Sequence, residues 1–495
     1  MGEAVMDYIK GADRHQTIML PDCVDDYVDA NNPVRVIDAY VNSLDMSALG
    51  FTRSQLNNTG RPPYCSKDLL KLYLYGYMNR IRSSRRLEAE SKRNLEVIWL
   101  LGTLSPDHKT IARFRQENPE ALKNVFRDFV RLCVRLGLYG KELLAIDGSK
   151  FKACNSKDRA FTEKKLADRI ARLDSKIEEY VQKLEELDFE ENRIEANKAS
   201  EEIEQIIVGL VERKSDYEGY MQKIRESGET QITLTDPDSR LMVANGKADV
   251  CYNIQTAVDS KNKMIVEFDV SNNSQDKNQM GPMSEKAADV LGTQQFSVVA
   301  DAGYDSASDI AHCLLNGVIP HVAGTIINIC IPTDAAESES PKSQKNGRCV
   351  YLKDRNIAIC PMGNFLYPSS YHKSNSAATF YSKVCSTCSC KCTASRYKRF
   401  EMAMPQSEFS KDYDDKGLSV KQIGIIADKN IVSQRQSIVE HPFGTIKRTM
   451  DAGYMLTRGK QAVIGELALT FLAYNLKRAI NILGTKQLES AISMC

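Results

Sequence analysis

Two aspartates follow short apolar runs. Leu143, Leu144, Ala145 and Ile146 lead into Asp147 and Gly148, and Val298, Val299 and Ala300 lead into Asp301, with Gly303 two residues on. A continuous apolar run of that length reads as a buried strand, so each aspartate is expected at a strand end. Carboxylates on the ends of adjacent strands can hold magnesium or manganese, hard cations that take oxygen ligands and keep positions open for water and phosphate. Two such ions, roughly 4 Å apart, can activate a water or a 3′-hydroxyl and stabilise the leaving oxygen in an in-line phosphodiester displacement. Glu440, in the helix-like stretch IVEHPFGTIKR, suits a third ligand place, with Lys447 two turns further along the same face to hold a phosphate. An aspartate after a strand is also often an ordinary turn or cap residue, and spacing by itself does not separate the two readings.

A second constellation is the run KVCSTCSCKCTASRYKR, where Cys385, Cys388, Cys390 and Cys392 lie close enough to share one ion and Cys360, before Pro361, could join from a facing turn. Four thiolates in tetrahedral array suit structural zinc. The paired spacing of a zinc ribbon is missing, so free thiols in a cysteine-rich loop stay open as the other reading. His312, His321, His372 and His441 lack metalloprotease spacing, and no glycine-rich phosphate loop is present, so no nucleotide cofactor is expected.

The elements that must position these groups can be read in order. Residues 1–60 form a polar lead-in. From 61 to 140, Leu69, Leu72, Tyr73, Tyr77 and Ile81 mark one helix face, Asp107 a cap and Gly137 a stop, which together predict an all-α domain of short helices. Its Arg82, Arg85, Arg86, Lys109, Arg113 and Arg115 could grip DNA phosphates, or could simply be a solvated basic face. The chain as a whole is balanced, with 66 Lys and Arg against 65 Asp and Glu, so evidence for a polyanionic partner must come from such local excess. Between 162 and 227, Leu166, Ile170, Leu173, Ile177, Tyr180, Leu184 and Leu187 form a heptad seam that resumes at Ile203, and a polar break between the two runs favours an antiparallel hairpin over a dimer. Strands are expected again from Thr230, with a hairpin turn at Asp259, Ser260 and Asn262, then a helix near Met280 to Leu291. Residues 333–421 are polar, cysteine-bearing and poor in periodic runs, as in an insertion without a core of its own. No stretch approaches a membrane span, and the opening residues lack the apolar core of a signal peptide, so a cytoplasmic protein is expected.

The segments LLAIDGSKF, VVADAGYDS and IVEHPFGTIKR, with the later LAYNLKRAINIL, resemble the acidic signatures of bacterial insertion-sequence DDE transposases, and the stretch from DLLKLYLYGYMNR through DHKTIARFR resembles that family's helical N-terminal domain. The resemblance runs from about Pro63 to Leu483 in family order. It implies an α/β catalytic domain over 141–485, an RNase H-like mixed sheet flanked by helices and interrupted by the helical and the cysteine-rich segments. It implies Asp147, Asp301 and Glu440 as ligands of magnesium or manganese, and Lys447, Arg448 and Arg435 as DNA contacts. It also implies cleavage at the element's terminal inverted repeats, joining of 3′-hydroxyl ends to target DNA, and a homodimer on paired ends. Relatives often carry a Tyr and an Arg upstream of the Glu; here those positions are Ser433 and Gln436, and Arg435 lies next door. A nuclease that cuts without joining, and an inactive DNA-binding relic, are the alternatives.

Overall fold

The computed structural model describes residues 23–51, 64–187, 193–244, 246–323, 326–332, 349–388 and 397–494. The chain opens with helices α1 (Pro33–Ser43), α2 (Ser66–Met78), α3 (Ser84–Arg93), α4 (Leu95–Leu100), α5 (His108–Glu117) and α6 (Pro119–Arg135). The expected signals act at their ends: Asp107 accepts from Lys109 N and Thr110 N to start α5, and Gly137, at φ +69°, follows the end of α6. The lead-in is not all polar preamble, because Val34, Val36, Ile37, Tyr40 and Val41 bury one face of α1 in the main core.

The middle of the chain supplies β1 (Leu143–Lys152), β2 (Ala160–Thr162), α7 (Glu163–Leu187), α8 (Arg193–Ser227), β3 (Gln231–Thr233), β4 (Arg240–Ala244), β5 (Lys247–Asp259), β6 (Ile265–Ser271), α9 (Met280–Leu291), β7 (Ser297–Ala300), α10 (Ala307–Leu315), β8 (Ile319–Val322) and β9 (Ile326–Pro332). It continues through β10 (Val350–Leu352), β11 (Ile357–Ile359), β12 (Phe365–His372), β13 (Ala377–Ser382), β14 (Lys398–Ala403) and β15 (Val420–Ile426), and closes with α11 (Lys429–Gly444), α12 (Lys460–Leu483) and α13 (Thr485–Ser493).

Six strands form the main sheet, in the order β4-β5-β1-β7-β8 with β6 also on β5. It is mixed: β1 runs antiparallel to β5 but parallel to β7, and β7 parallel to β8. The β5–β6 hairpin turns at the expected place, where the fully buried Asp259 carboxylate accepts from the amides of Gly140, Lys141 and Lys261 at 2.9 to 3.1 Å. Helices α6, α9 and α12 pack on the β5–β6 side, and α11 lies across β1 and β7. Asn475 of α12 locks helix to sheet by accepting from Ile265 N and donating to Ile265 O, at 2.9 and 2.7 Å, which satisfies both ends of a buried amide.

The helical N-terminal layer is fastened to the rest by a buried ion pair. Arg82 Nη2 lies 2.6 Å from Glu466 Oε1, and both side chains are shut away from solvent. The Glu466 carboxylate also accepts from Leu456 N, Thr457 N and Thr457 Oγ1. Burial pushes its carboxyl up, but the Arg115 and Arg82 charges and these hydrogen bonds outweigh that and hold it below the ordinary glutamate range.

Helices α7 and α8 pack side by side. Arg225 pairs with Glu163, Arg169 with Tyr217 and Lys214 with Asp174, so residue numbers fall on one helix as they rise on the other. That is the antiparallel hairpin the polar break favoured.

The cysteine-bearing region corrects its expectation. It holds a five-stranded antiparallel sheet, β10 through β14 in sequence order, with a small core of Cys349, Ala358, Cys360, Leu366, Ala378, Phe380 and Met404. The antiparallel pair β9–β15 carries the chain out to it and back. Strands of three to eight residues, spaced by polar turns, leave no long periodic run to read. Among the described residues, no helix is long and apolar enough to cross a membrane.

Candidate active site

Strand β1 pairs in parallel with β7 through Leu143 with Ser297, Leu144 with Val298 and Ala145 with Val299. Continuing that register by two residues sets Asp147 level with Asp301, on neighbouring strands about 4.8 Å apart. Their settings differ from the expectation in one respect. Strand β7 stops at Ala300, but β1 runs on through Lys152 because β5 stays paired with it, so Asp147 is inside a strand and only its β7 side is open. Asp301 caps the short turn Ala302–Tyr304, its Oδ1 accepting from Gly303 N at 2.8 Å.

A third carboxylate, which the sequence reading passed over, stands beside this pair. Asp276, in the loop between β6 and α9, accepts at Oδ1 from Asn253 Nδ2 at 2.8 Å and Gln255 Nε2 at 2.7 Å. Gln255 Oε1 in turn accepts from the buried Tyr304 hydroxyl. The Asp147 carboxyl is pushed up to about 6: burial is the main cause, Arg435 opposes it, and the Asp301 and Asp276 charges add to it. Burial and the same three carboxylates drive the Tyr304 phenol well above its ordinary value, so it stays a hydrogen-bond donor.

Helix α11 closes over the pair. Ile438, Val439, Pro442 and Phe443 are buried, and Phe443 meets Phe151 of β1 edge-on at 6.3 Å. That seating points Arg435 inward, with Nη1 3.3 Å from Asp147 Oδ1. Beyond Gly444 the helix widens into a π turn over Thr445–Thr449, a form often found at functional sites. From it Lys447 donates to Ser149 Oγ at 2.7 Å and Lys150 O at 2.9 Å, two and three residues past Asp147. Burial lowers the Lys447 ammonium, while the Cys251 and Asp147 groups oppose that.

Glu440 sits five residues beyond Arg435, which is about 140° around the helix. It is exposed, and its carboxylate accepts from Gln436 Nε2 at 2.7 Å. The structure therefore joins Asp147, Asp301, Arg435 and Asp276 in one neighbourhood, while Glu440 is exposed and bonded to Gln436. Among the described residues no three His, Cys, Asp or Glu side chains are gathered tightly enough to ring one ion. The donor set still suits a hard cation, since magnesium is commonly held by one or two carboxylates with water and phosphate completing the shell.

The basic residues divide. Arg85, Arg86, Lys109, Arg113 and Arg448 are exposed. Arg82 and Arg115 are not, which corrects their reading as phosphate grips: Arg82 is spent on Glu466, and Arg115 donates to the Tyr77 hydroxyl at 2.8 Å beneath the surface. His441 is held by Tyr474, Nδ1 to hydroxyl 2.9 Å, a structural contact.

In the cysteine-bearing sheet, Cys360 Sγ faces the amides of Met362 at 3.4 Å and Asn364 at 3.3 Å, and Asn364 Nδ2 reaches both Cys360 and Cys388. Cys330 of β9 donates to Pro361 O on the same turn. Cys390 and Cys392 lie outside the described residues, as does the side chain of Cys385.

The two aspartates are borne on a mixed sheet, and burial raises the carboxyl of one of them. The particular family comes from the sequence. Residues 138–476 match the family described as Transposase DDE domain, and residues 22–117 match Transposase domain (DUF772). The first match spans well over half of the chain, and the protein belongs to the insertion-sequence DDE transposases. No curated protein matches the sequence. Among solved structures, the cryo-EM structure of the piggyBac transposase synaptic complex with hairpin DNA is similar at 8% identity and a TM-score of 0.30, over 94% of this chain and 79% of that one, too slight a likeness to bear on the fold.

Proposed function

We propose that the protein cuts DNA at the terminal inverted repeats of its own element and joins the freed 3′-hydroxyl ends to target DNA, with magnesium or manganese at Asp147 and Asp301. The level placement of those two carboxylates on parallel neighbours carries this reading. A divalent cation there supplies Lewis acidity at the scissile phosphate and an activated oxygen nucleophile. The chain's own groups do the rest. Asp147 and Asp301 bring negative charge to the place where the cation is needed, Arg435 offsets part of that charge before the cation arrives, and Lys447 stands beside Ser149 to fix a phosphate along β1. Glu440 is proposed as the third acid on the family pattern, once its bond from Gln436 is released.

In this reading residues 61–140 form the DNA-binding domain and 141–485 an RNase H-like catalytic domain, with 162–227 and 333–421 inserted into it. Arg85, Arg86, Lys109, Arg113 and Arg448 contact double-stranded DNA. The protein works as a homodimer on paired ends, in the cytoplasm. The cysteines Cys360, Cys385, Cys388, Cys390 and Cys392 hold a structural zinc, a reading supported by the amides aimed at Cys360 Sγ. Metal analysis of purified protein should find about one zinc per chain, lost with Cys360→Ser; a metal-free, fully folded wild type would reject that site.

The decisive experiment uses purified protein, magnesium or manganese, and a labelled duplex carrying the element's ends. Wild type should nick and then join, while Asp301→Asn should bind the duplex and do neither. Nicking without joined products would point to a nuclease, and binding without chemistry under either metal would point to a DNA-binding relic.

A further inference from the structure

We propose that Asp276 is a further acid of the cation site at Asp147 and Asp301, an inference that rests on the function proposed above. Behind it stands the space left for Asp276 at Gly148, together with the unshared Oδ2 of Asp276. Each aspartate is followed by a glycine, Gly148 one residue after Asp147 and Gly303 two after Asp301. Neither has a positive φ, so backbone freedom does not explain them. Room does. A Cβ on Gly148 would lie 2.4 Å from Asp276 Oδ1, 2.4 Å from Gln255 Nε2 and 3.0 Å from Asn253 Oδ1. A Cβ on Gly303 would lie 2.9 Å from Asp301 Oδ1 and 3.9 Å from Asp276 Oδ2. The missing side chain of Gly148 makes way for the Asp276 carboxylate, while that of Gly303 leaves room for the Asp301 carboxylate and would meet Asp276 only at ordinary contact distance.

The orientation of Asp276 completes the case. Its Oδ1 is occupied by the two amides of Asn253 and Gln255, both on β5 behind the acid pair. Its Oδ2, with no hydrogen-bond partner among the described residues, is the oxygen on the Gly303 and Asp301 side. A carboxylate serving only to pin its loop would not need to stand where its charge is felt by Asp147, because like charges repel. A cation reverses the sign of that cost. Asp276 thus acts from the outer layer of the site: its charge and its held orientation strengthen the ion's binding, and outer-layer partners of this kind are worth 10- to 100-fold in metal affinity.

The test is Mn²⁺ binding to the full-length protein, followed by electron paramagnetic resonance, for wild type, Asp276→Asn and Asp301→Asn. Asparagine at 276 keeps an oxygen for Asn253 and Gln255 and removes only the charge. The expected result is a 10- to 100-fold weaker affinity for Asp276→Asn, with a melting temperature in chelator no lower than that of wild type. Wild-type affinity in Asp276→Asn, with binding lost in Asp301→Asn, overturns this proposal alone. A chelator melting temperature that falls together with the affinity overturns it in favour of a purely structural role. No Mn²⁺ uptake by wild type overturns the metal-site reading and this proposal with it.

Discussion

Arg435 and Asp147 lie 288 residues apart in the chain and 3.3 Å apart in the fold, and their contact ties the closing helix to the central strand. Each is about one-fifth exposed, at 23% and 22%, so the pair is shielded but reachable by a ligand. The guanidinium is the positive charge that opposes the effect of burial on the Asp147 carboxyl.

That relationship predicts how Asp147 titrates. Burial pushes its carboxyl up to about 6, and replacing Arg435 with Gln removes a charge that opposes the rise, so the value should climb. Asp301→Asn removes a charge that contributes to it, so the value should fall. Carboxyl carbon NMR on aspartate-labelled, chelator-treated protein reads both shifts; movement in the opposite sense for either variant would contradict the assignment. The linked stability has a definite sign. The folded protein binds the Asp147 proton more tightly than the unfolded chain, so this group stabilises the fold at low pH, and that contribution is lost as pH rises from about 4 to about 6.

Gly148 predicts a steric effect at the same place. Alanine there sets a methyl 2.4 Å from both Asp276 Oδ1 and Gln255 Nε2, atoms already tied to each other and, through Gln255, to Tyr304. Neither can swing away without losing its bond. Overpacking of this kind costs about 1–3 kcal/mol, and urea denaturation of Gly148→Ala should show a loss in that range. Full wild-type stability would mean that Asp276 and Gln255 can move apart to admit the methyl.

How much of this the sequence disclosed follows from where the signal resides. Asp147 and Asp301 were legible because a buried parallel strand needs a run of apolar residues, and the first polar residue after the run stands out. The extent of β1 was not, since Gly148 through Lys152 stay extended by pairing with β5, about a hundred residues away, and at Lys152 with Tyr454. Asp276 gave no local signal: it sits in SNNSQDKNQ, a stretch that reads as loop, and only the tertiary approach of β5 and Gly148 reveals its company. Arg82 and Arg115 looked like surface cations because helix periodicity says which face a residue is on and not what covers that face. Glu466, the acid that explains Arg82, lies 384 positions further on.

The buried pair makes its own prediction. Arg82→Ala would leave Glu466 shut in with backbone and hydroxyl donors and the more distant Arg115 charge, and breaking one side of such a pair typically costs about 3–5 kcal/mol. Chemical denaturation should show a loss of that order, an order larger than for alanine at exposed Arg86. Because the folded Glu466 carboxyl is held below its unfolded value, its contribution is present above about pH 4 and disappears as pH falls below that. Wild type should therefore lose more stability on acidification than Glu466→Gln, and parallel pH curves for the two would refute the pairing.

The division of the arginines into buried and exposed predicts which of them meet DNA. Every phosphate contact releases condensed counterions, so each lost contact should lower the slope of log affinity against log salt by roughly 0.9. Alanine at Arg85, Arg86, Lys109 or Arg113 should weaken binding to any duplex and reduce that slope, with stability changed little, because these side chains are exposed on helices whose other faces make the core. Arg82→Ala and Arg115→Ala should do the reverse, lowering stability while the folded fraction keeps the wild-type slope. Fluorescence anisotropy on one labelled duplex at several salt concentrations, done beside a denaturation curve for each variant, separates the two classes. A reduced slope for Arg82→Ala at full stability would return that residue to the DNA surface, and unchanged slopes for all four exposed residues would move the DNA to another face of the protein.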